Sequence, residues 1–342
     1  MPGLLLDTLH GLNSPRRPIW MMRQAGRYLP EYRALRAEKG GFLALVHDSP
    51  AAAEVTVQPI RRFGLDGAIL FSDILVVPHA LGQDLQFMAG EGPRLSPRLV
   101  DATLGGLEAV PQRLEPVYRT VALVRAQLAP EVTLLGFAGS PWTVATYMIA
   151  GEGSRDQHVA RALAYRDPAA VQAIVDAIIG CTVEYLVKQA EAGAEAVQLF
   201  DSWAGSLAPA EFERWVIAPN AAIVSAFKAR CPDVPVIGFP KGAGAKLPAY
   251  ARETGVDAVG VDETVDPLWA ARELPANMPV QGNLDPLLLL AGTADLEERT
   301  HAILDAFADR PHVFNLGHGI DKETPIPHVD RLLAAARGWQ RS

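Results

Sequence analysis

Residues 168–202 read PAAVQAIVDAIIGCTVEYLVKQAEAGAEAVQLFDS, and this stretch contains the unit from which the fold is read. Val171, Ile174, Val175, Ile178, Ile179, Val183, Leu186 and Val187 fall at i, i+3, i+4, i+7 spacing, which places them on one face of a helix. Gly193 stands where a C-terminal cap belongs, since glycine takes the left-handed conformation without a Cβ clash. Residues 196–200 follow as a short apolar run of strand length, and it ends abruptly on Asp201-Ser202. The unit is therefore helix, turn, strand, polar end.

The same unit recurs in both directions. Strand-like runs lie at 19–22, 67–71, 132–137, 196–200, 234–239, 258–261, 279–281 and 313–316, and further helical stretches at 207–230, 246–254 and 328–337. Eight strands alternating with helices, none marked as antiparallel, predict an α/β fold built as a single (β/α)8, TIM-type barrel over residues 1–342. A doubly wound open sheet shares this alternation, because periodicity does not reveal closure. Residues 1–17 read as an N-terminal extension. Around 83–100, the breakers Gly90, Gly92, Pro93 and Pro97 predict an inserted hairpin or loop.

Composition excludes several classes. With 49% hydrophobic and 20% charged residues, the chain can build a sizeable core. A net charge of -8 argues against general nucleic-acid binding, so any anionic ligand must meet a local cluster of arginines. Two cysteines, Cys181 and Cys231, make no disulfide framework. Leu4-Leu5-Leu6 meets Asp7 at once, which is wrong for a signal peptide, and apolar runs such as 287–290 are too short for a membrane span. The expectation is a cytoplasmic protein with no membrane partner.

In a barrel the chemistry gathers at the carboxyl ends of the strands. Here those ends read Arg23-Gln24, Ser72-Asp73, Gly139-Ser140, Asp201-Ser202, Pro240-Lys241, Asp262-Glu263, Gly282-Asn283 and Gly317-His318-Gly319. Arg23 and Arg27 flank Gly26, so two guanidinium forks can converge on one carboxylate or phosphate; a solvated basic turn answering Glu31 is the plainer reading. Asp262, and Asn283 with Asp285, read as caps and turns. Asp73 is less easily a cap, because 74–77 stays apolar and Pro78 stops a long helix. His318 is free to approach a ligand between two glycines, although a lone histidine is more often structural. Tyr147 precedes the glycine loop 151–154, and Ser202 is either a site residue or a cap. No phosphate loop, nucleophile elbow or metal-ligand spacing is present, so no metal site is expected. Lys241 is the one candidate for a Schiff base.

Taken together, the blocks at 23–31, 71–78, 136–143, 199–202, 281–286 and 315–319 resemble the uroporphyrinogen decarboxylase family, in its order and over nearly the whole chain. The resemblance implies a distorted (β/α)8 barrel, a homodimer, and cofactor-independent removal of the four acetate carboxyls of uroporphyrinogen III, giving coproporphyrinogen III in haem synthesis. It implies substrate contacts from Arg23, Gln24, Ala25, Gly26, Arg27, Asp73, Tyr147, Ser202 and His318. Two departures stand out: Trp203 follows Ser202 where a histidine is common, and Glu152 puts a charge in the glycine loop. Physically, loss of CO2 needs an electron sink, and a pyrrole protonated on carbon can be one. Asp73 would stabilise that cation by accepting the pyrrole N–H groups, while Arg23 would orient a carboxylate and is a candidate proton donor. Two other classes fit part of the pattern. One is a Schiff-base lyase using Lys241; the other is a tetrapyrrole- or corrinoid-handling relative, including zinc methyltransferases.

Overall fold

Continuous apolar runs become strands here because both of their faces are covered. A computed structural model describes residues 3–14, 16–88 and 92–341. The strands are β1 Gly67–Ile69, β2 Asp84–Met88, β3 Gly92–Ser96, β4 Thr133–Gly139, β5 Ala196–Asp201, β6 Val236–Pro240, β7 Ala258–Gly260, β8 Val280–Leu284 and β9 His312–Leu316. Seven of them form one parallel sheet in the order β1-β4-β5-β6-β7-β8-β9. Neighbouring strands follow one another in sequence, with a helical connection between each pair, and the sheet curls. Register is continuous: Leu135 pairs with Ala196, Val197 with Val236, and Val280 with His312. The interruption near residue 90 is the antiparallel hairpin β2–β3; the breaker Gly90 lies outside the described residues, as do residues 1, 2 and 15 of the N-terminal extension.

The eighth strand expected at 19–22 is not formed as a strand. Ile19 makes a single parallel bridge to Phe314 of β9, and its carbonyl accepts the amide of Asp66, just before β1. The next donors are captured by side chains instead of a ladder. The Ile19 amide donates to the Asp66 carboxylate at 2.8 Å, that of Met21 to Gln24 Oε1 at 3.0 Å, and that of Met22 to Asn315 Oδ1 at 3.0 Å. Backbone groups bound this way cannot also pair with a strand. The segment thus touches both edges of the sheet without joining it as a regular member.

The long amphipathic stretch is a helix, Pro168–Glu191, with the Asp167 carboxylate accepting the Ala170 amide at its start. Gly193, at φ +116, turns the chain into β5. Of the eight predicted face residues only Ile179 is half-buried, and Thr182, Tyr185 and Gln189 extend the buried face. By length and composition this helix could span a bilayer, but it packs against β4, β5 and neighbouring helices. The helix expected over 207–230 comes as three pieces: Pro209–Phe212, a π-helical turn Glu213–Ile217, and Ala218–Lys228. Pro219 explains the break, since it has no N–H for the carbonyl four residues back and its ring crowds that carbonyl. Buried apolar side chains from Leu5 to Trp339 form one continuous cluster.

Candidate active site

The segment after the Ile19 bridge is a tightly tied loop. Gln24 is fully buried; its Nε2 donates to the Gly67 carbonyl at 3.0 Å, and Tyr28 Oη donates to the Gln24 carbonyl at 2.9 Å. The Gln24 side chain therefore holds the loop against β1 and does not face outward. The positive φ in this turn belongs to Arg23, at +61, not to Gly26. Gly26 is required for a different reason: a Cβ there would stand 2.8 Å from the Arg23 carbonyl oxygen. Arg23 is exposed, and Ala25 and Gly26 are half-buried.

Arg23 lies across Gly319, where a Cβ would come within 2.3 Å of Arg23 Cδ. It thereby reaches the end of β9 and His318. His318 is half-buried and faces the Phe239 ring at 6.4 Å in a stacked arrangement. Burial, then the positive charges of Arg23 and Lys241, push its pKa down to about 3, so it is neutral at physiological pH. Lys241 Nζ sits 3.4 Å from a Glu263 carboxylate oxygen. An ammonium held by a carboxylate is no nucleophile, which removes the main attraction of the Schiff-base reading.

Asp73 follows β1 and precedes the short helix Val76–Ala80. One carboxylate oxygen does act as a turn cap, accepting the Leu75 amide at 2.8 Å. No protein donor among the described residues reaches the other oxygen. Burial raises the Asp73 pKa to about 6, opposed by the Leu75 N–H and by the Arg23 charge. Tyr147 lies on the helix Pro141–Ala150, which follows β4 and ends at the glycine loop. Burial, then the Asp73 charge, raises its pKa, and the Arg23 charge acts in the opposite sense. Asp73, Arg23 and Tyr147 are thus electrostatic neighbours, and Arg23 links this group to His318.

Ser202 follows β5, half-buried, and makes no hydrogen bond among those described that would fix it as a helix cap. Its neighbour Trp203 packs against the Tyr147 ring at 6.5 Å, so the indole stands beside Tyr147. The Trp203 amide donates to Thr143 Oγ1 at 3.1 Å, and that hydroxyl donates to buried Asp201 at 2.5 Å. Glu152, the other departure, is ion-paired with Arg94 of the β2–β3 hairpin. Asp262 and Asn283 are structural as expected. Asp262 accepts the amides of Gly242 and Thr264, and Asn283 donates to the carbonyls of Asp262 and Val265. Asp285 caps the helix Pro286–Ala291.

Arg27 is exposed and takes a separate position from Arg23. With Arg33, Arg36, Ala37 and Gly41 it lines a shallow depression of about 360 Å³. Arg33 and Arg36 were missed by sequence reasoning, although they lie three apart on the helix Pro30–Glu38 directly after the loop. Asn315, which accepts the Met22 amide, and Gly319, which leaves room for Arg23, were read only as part of a motif. Among the described residues no cluster of three His, Cys, Asp or Glu side chains has metal-binding proximity.

The uroporphyrinogen decarboxylase family model matches residues 3–339. The chain is 77% identical over 341 residues to the uroporphyrinogen decarboxylase of Novosphingobium aromaticivorans, covering 100% of each chain. It is 73% identical to that of Erythrobacter litoralis over 100% of both chains, and 53% identical to that of Mesorhizobium japonicum over 99% and 98%. Among solved structures, a methyltransferase from Methanosarcina mazei superposes with a TM-score of 0.80 at 19% identity, over 97% of this chain and 96% of that one. A B12-independent methionine synthase from Shewanella sp. W3-18-1 gives 0.54 at 12% identity, over 95% and 94%. These two likenesses concern the fold alone.

Proposed function

The chain belongs to the uroporphyrinogen decarboxylase family, and from that premise we propose how its recess removes carboxyl groups from uroporphyrinogen. It converts the four acetate side chains of uroporphyrinogen III to methyls, giving coproporphyrinogen III in tetrapyrrole synthesis. The observation that carries the mechanism is Asp73: a carboxylate with one oxygen tied to the Leu75 amide and the other free of protein donors. A macrocycle seated over it directs its pyrrole N–H groups at that free oxygen.

Protonation of a pyrrole carbon makes the ring a cation, which the Asp73 carboxylate stabilises. The electrons of the bond to the departing carboxylate then flow into the ring and CO2 leaves; a proton is added to the exocyclic carbon to complete the methyl, and the ring carbon gives up the proton it first took, restoring the pyrrole. Arg23, beside both Asp73 and His318, holds the reacting acetate ionised. Tyr147, with its hydroxyl protonated, and neutral His318 line the ring without adding charge. Ser202 and the backbone at Ala25 and Gly26 contact the substrate edge. Arg27, joined by Arg36, takes outlying carboxylates, and Gln24 serves by holding the loop. The carboxyl donor set is arginine throughout, and the reaction uses no metal or organic cofactor.

The same reading makes the fold one closed (β/α)8 barrel over the whole chain, with residues 18–20 as the eighth stave. The Ile19 contacts to both sheet edges support that closure. The enzyme is a cytoplasmic homodimer without nucleic-acid or membrane partners. The decisive experiment is anaerobic incubation of purified protein with uroporphyrinogen III and a chelator, followed by oxidation and chromatography. A ladder of seven-, six-, five- and four-carboxyl porphyrins is expected; an unchanged eight-carboxyl substrate with folded protein would overturn the reading.

A further inference from the structure

We propose that Asn315 is a positioning residue that sets the aim of Arg23. The inference rests on the reading that Arg23 holds a substrate carboxylate. Arg23 is an ordinary L-residue at φ +61, a conformation that persists only where its surroundings over-determine it. Those surroundings are visible on both sides. Met22, immediately before it, is clamped twice: its amide donates to Asn315 Oδ1 at 3.0 Å, and its carbonyl accepts the Ile320 amide at 2.9 Å. Gln24, immediately after it, is tied to Gly67 and Met21.

Asn315 is fully buried in β9, and the same Oδ1 also accepts the Leu316 amide at 2.8 Å. One oxygen thus joins the strand that carries His318 to the residue that precedes Arg23. Among the described residues the Asn315 Nδ2 has no partner, so the acceptor is the working atom of this side chain. With its backbone pinned, Arg23 is directed across residue 319, where only glycine leaves room for it. Two elements distant in sequence, 22–23 and 315–319, therefore form one fixed unit that aims a guanidinium at the recess.

The test compares Asn315→Leu, which removes the acceptor at similar size, with Asn315→Asp, which keeps it. Each is made in the wild-type and in the Arg23→Ala background, with kcat/KM for uroporphyrinogen III read by single-turnover incubation and melting temperature recorded. We expect N315L to lower kcat/KM at least tenfold in the wild type and less than twofold beside R23A. N315D should stay within about threefold of wild type. An equal loss from N315L in both backgrounds, a full loss from N315D, or no loss from N315L would each overturn the proposal. If N315L does not fold, Asn315→Ala supplies the same comparison, since it also removes the acceptor of the Met22 amide and adds no bulk. An equal loss from N315A in both backgrounds, or no loss, would likewise overturn it. An inactive wild type would instead sink the decarboxylase reading itself, so the two failures are distinguishable.

Discussion

Arg62 grips Glu31 through both carboxylate oxygens, at 2.8 and 3.0 Å, so the acid that sequence proximity assigned to the basic turn is taken by a neighbouring helix. This leaves the guanidiniums of Arg23 and Arg27 outside that ion pair. The Glu31 charge still lies close to Arg33 at the edge of the arginine-lined depression. Replacing Arg62 by alanine frees a carboxylate beside it, and an unpaired negative charge repels an octacarboxylate. R62A should raise KM two- to fivefold with kcat unchanged, as steady-state kinetics would show. A fall in kcat alone would contradict this account.

Asp73→Asn keeps the size of the side chain and removes its charge. Loss of a single preorganised partner of transition-state charge costs about 3 kcal/mol in other enzymes, so kcat should fall at least a hundredfold. The same change should raise the melting temperature at pH 7.5, because the native carboxylate is disfavoured by burial. Activity lost and stability gained together would mark the site as one held at a thermodynamic cost.

Asp73 must be ionised to accept pyrrole N–H groups, and its pKa lies at about 6. The rate constant kcat/KM should therefore be flat above that pH and fall about tenfold per unit below it. The limb must vanish in D73N. A limb that survived the substitution would belong to another group.

Asp201 offers a stability test away from the recess floor. Burial raises its pKa to about 7, against the hydrogen bond from Thr143. The native state then holds a proton that the unfolded chain, near 3.8, has already lost. Its contribution to stability is therefore present below about pH 4 and declines as pH rises through 7. Asp201→Asn keeps the oxygen that accepts the Thr143 hydroxyl. It should leave the melting temperature unchanged near pH 4 and raise it by several degrees at pH 8. An equal shift at both would point to packing instead.

Glu152 departs from the glycine-loop pattern, but its charge is answered by Arg94 on the hairpin. Both side chains are largely solvated, and such pairs contribute little. Glu152→Gln should change kcat/KM less than twofold, measured at low salt where the effect would be largest.

Seven of the eight expected strands were legible because parallel strands covered on both faces must be apolar throughout, which leaves an unbroken run in the sequence. The run at 19–22 looks the same, yet three of its four amides go to the side chains of Asp66, Gln24 and Asn315. Two of those acceptors lie 47 and 293 residues away, beyond any local pattern. Likewise Arg23, Asp73, Ser202 and His318 stand out in the sequence as polar residues where apolar runs end, and Tyr147 as the residue before a glycine loop. The inward commitment of Gln24 and the reason for Gly26 were not.

By itself, then, the sequence determined the alternation of helix and strand, the polar ends where chemistry gathers, and the family. Each of these is written in local periodicity or in short motifs. Only the tertiary structure decided which arginine lies near Asp73, which acid is already paired, and which buried side chain takes the Met22 amide. Those choices depend on contacts across the curled sheet, such as those of Ile19 with Phe314 of β9 and with Asp66 just before β1. Distances and burial there set the charge each group carries, and a linear order of residues contains neither.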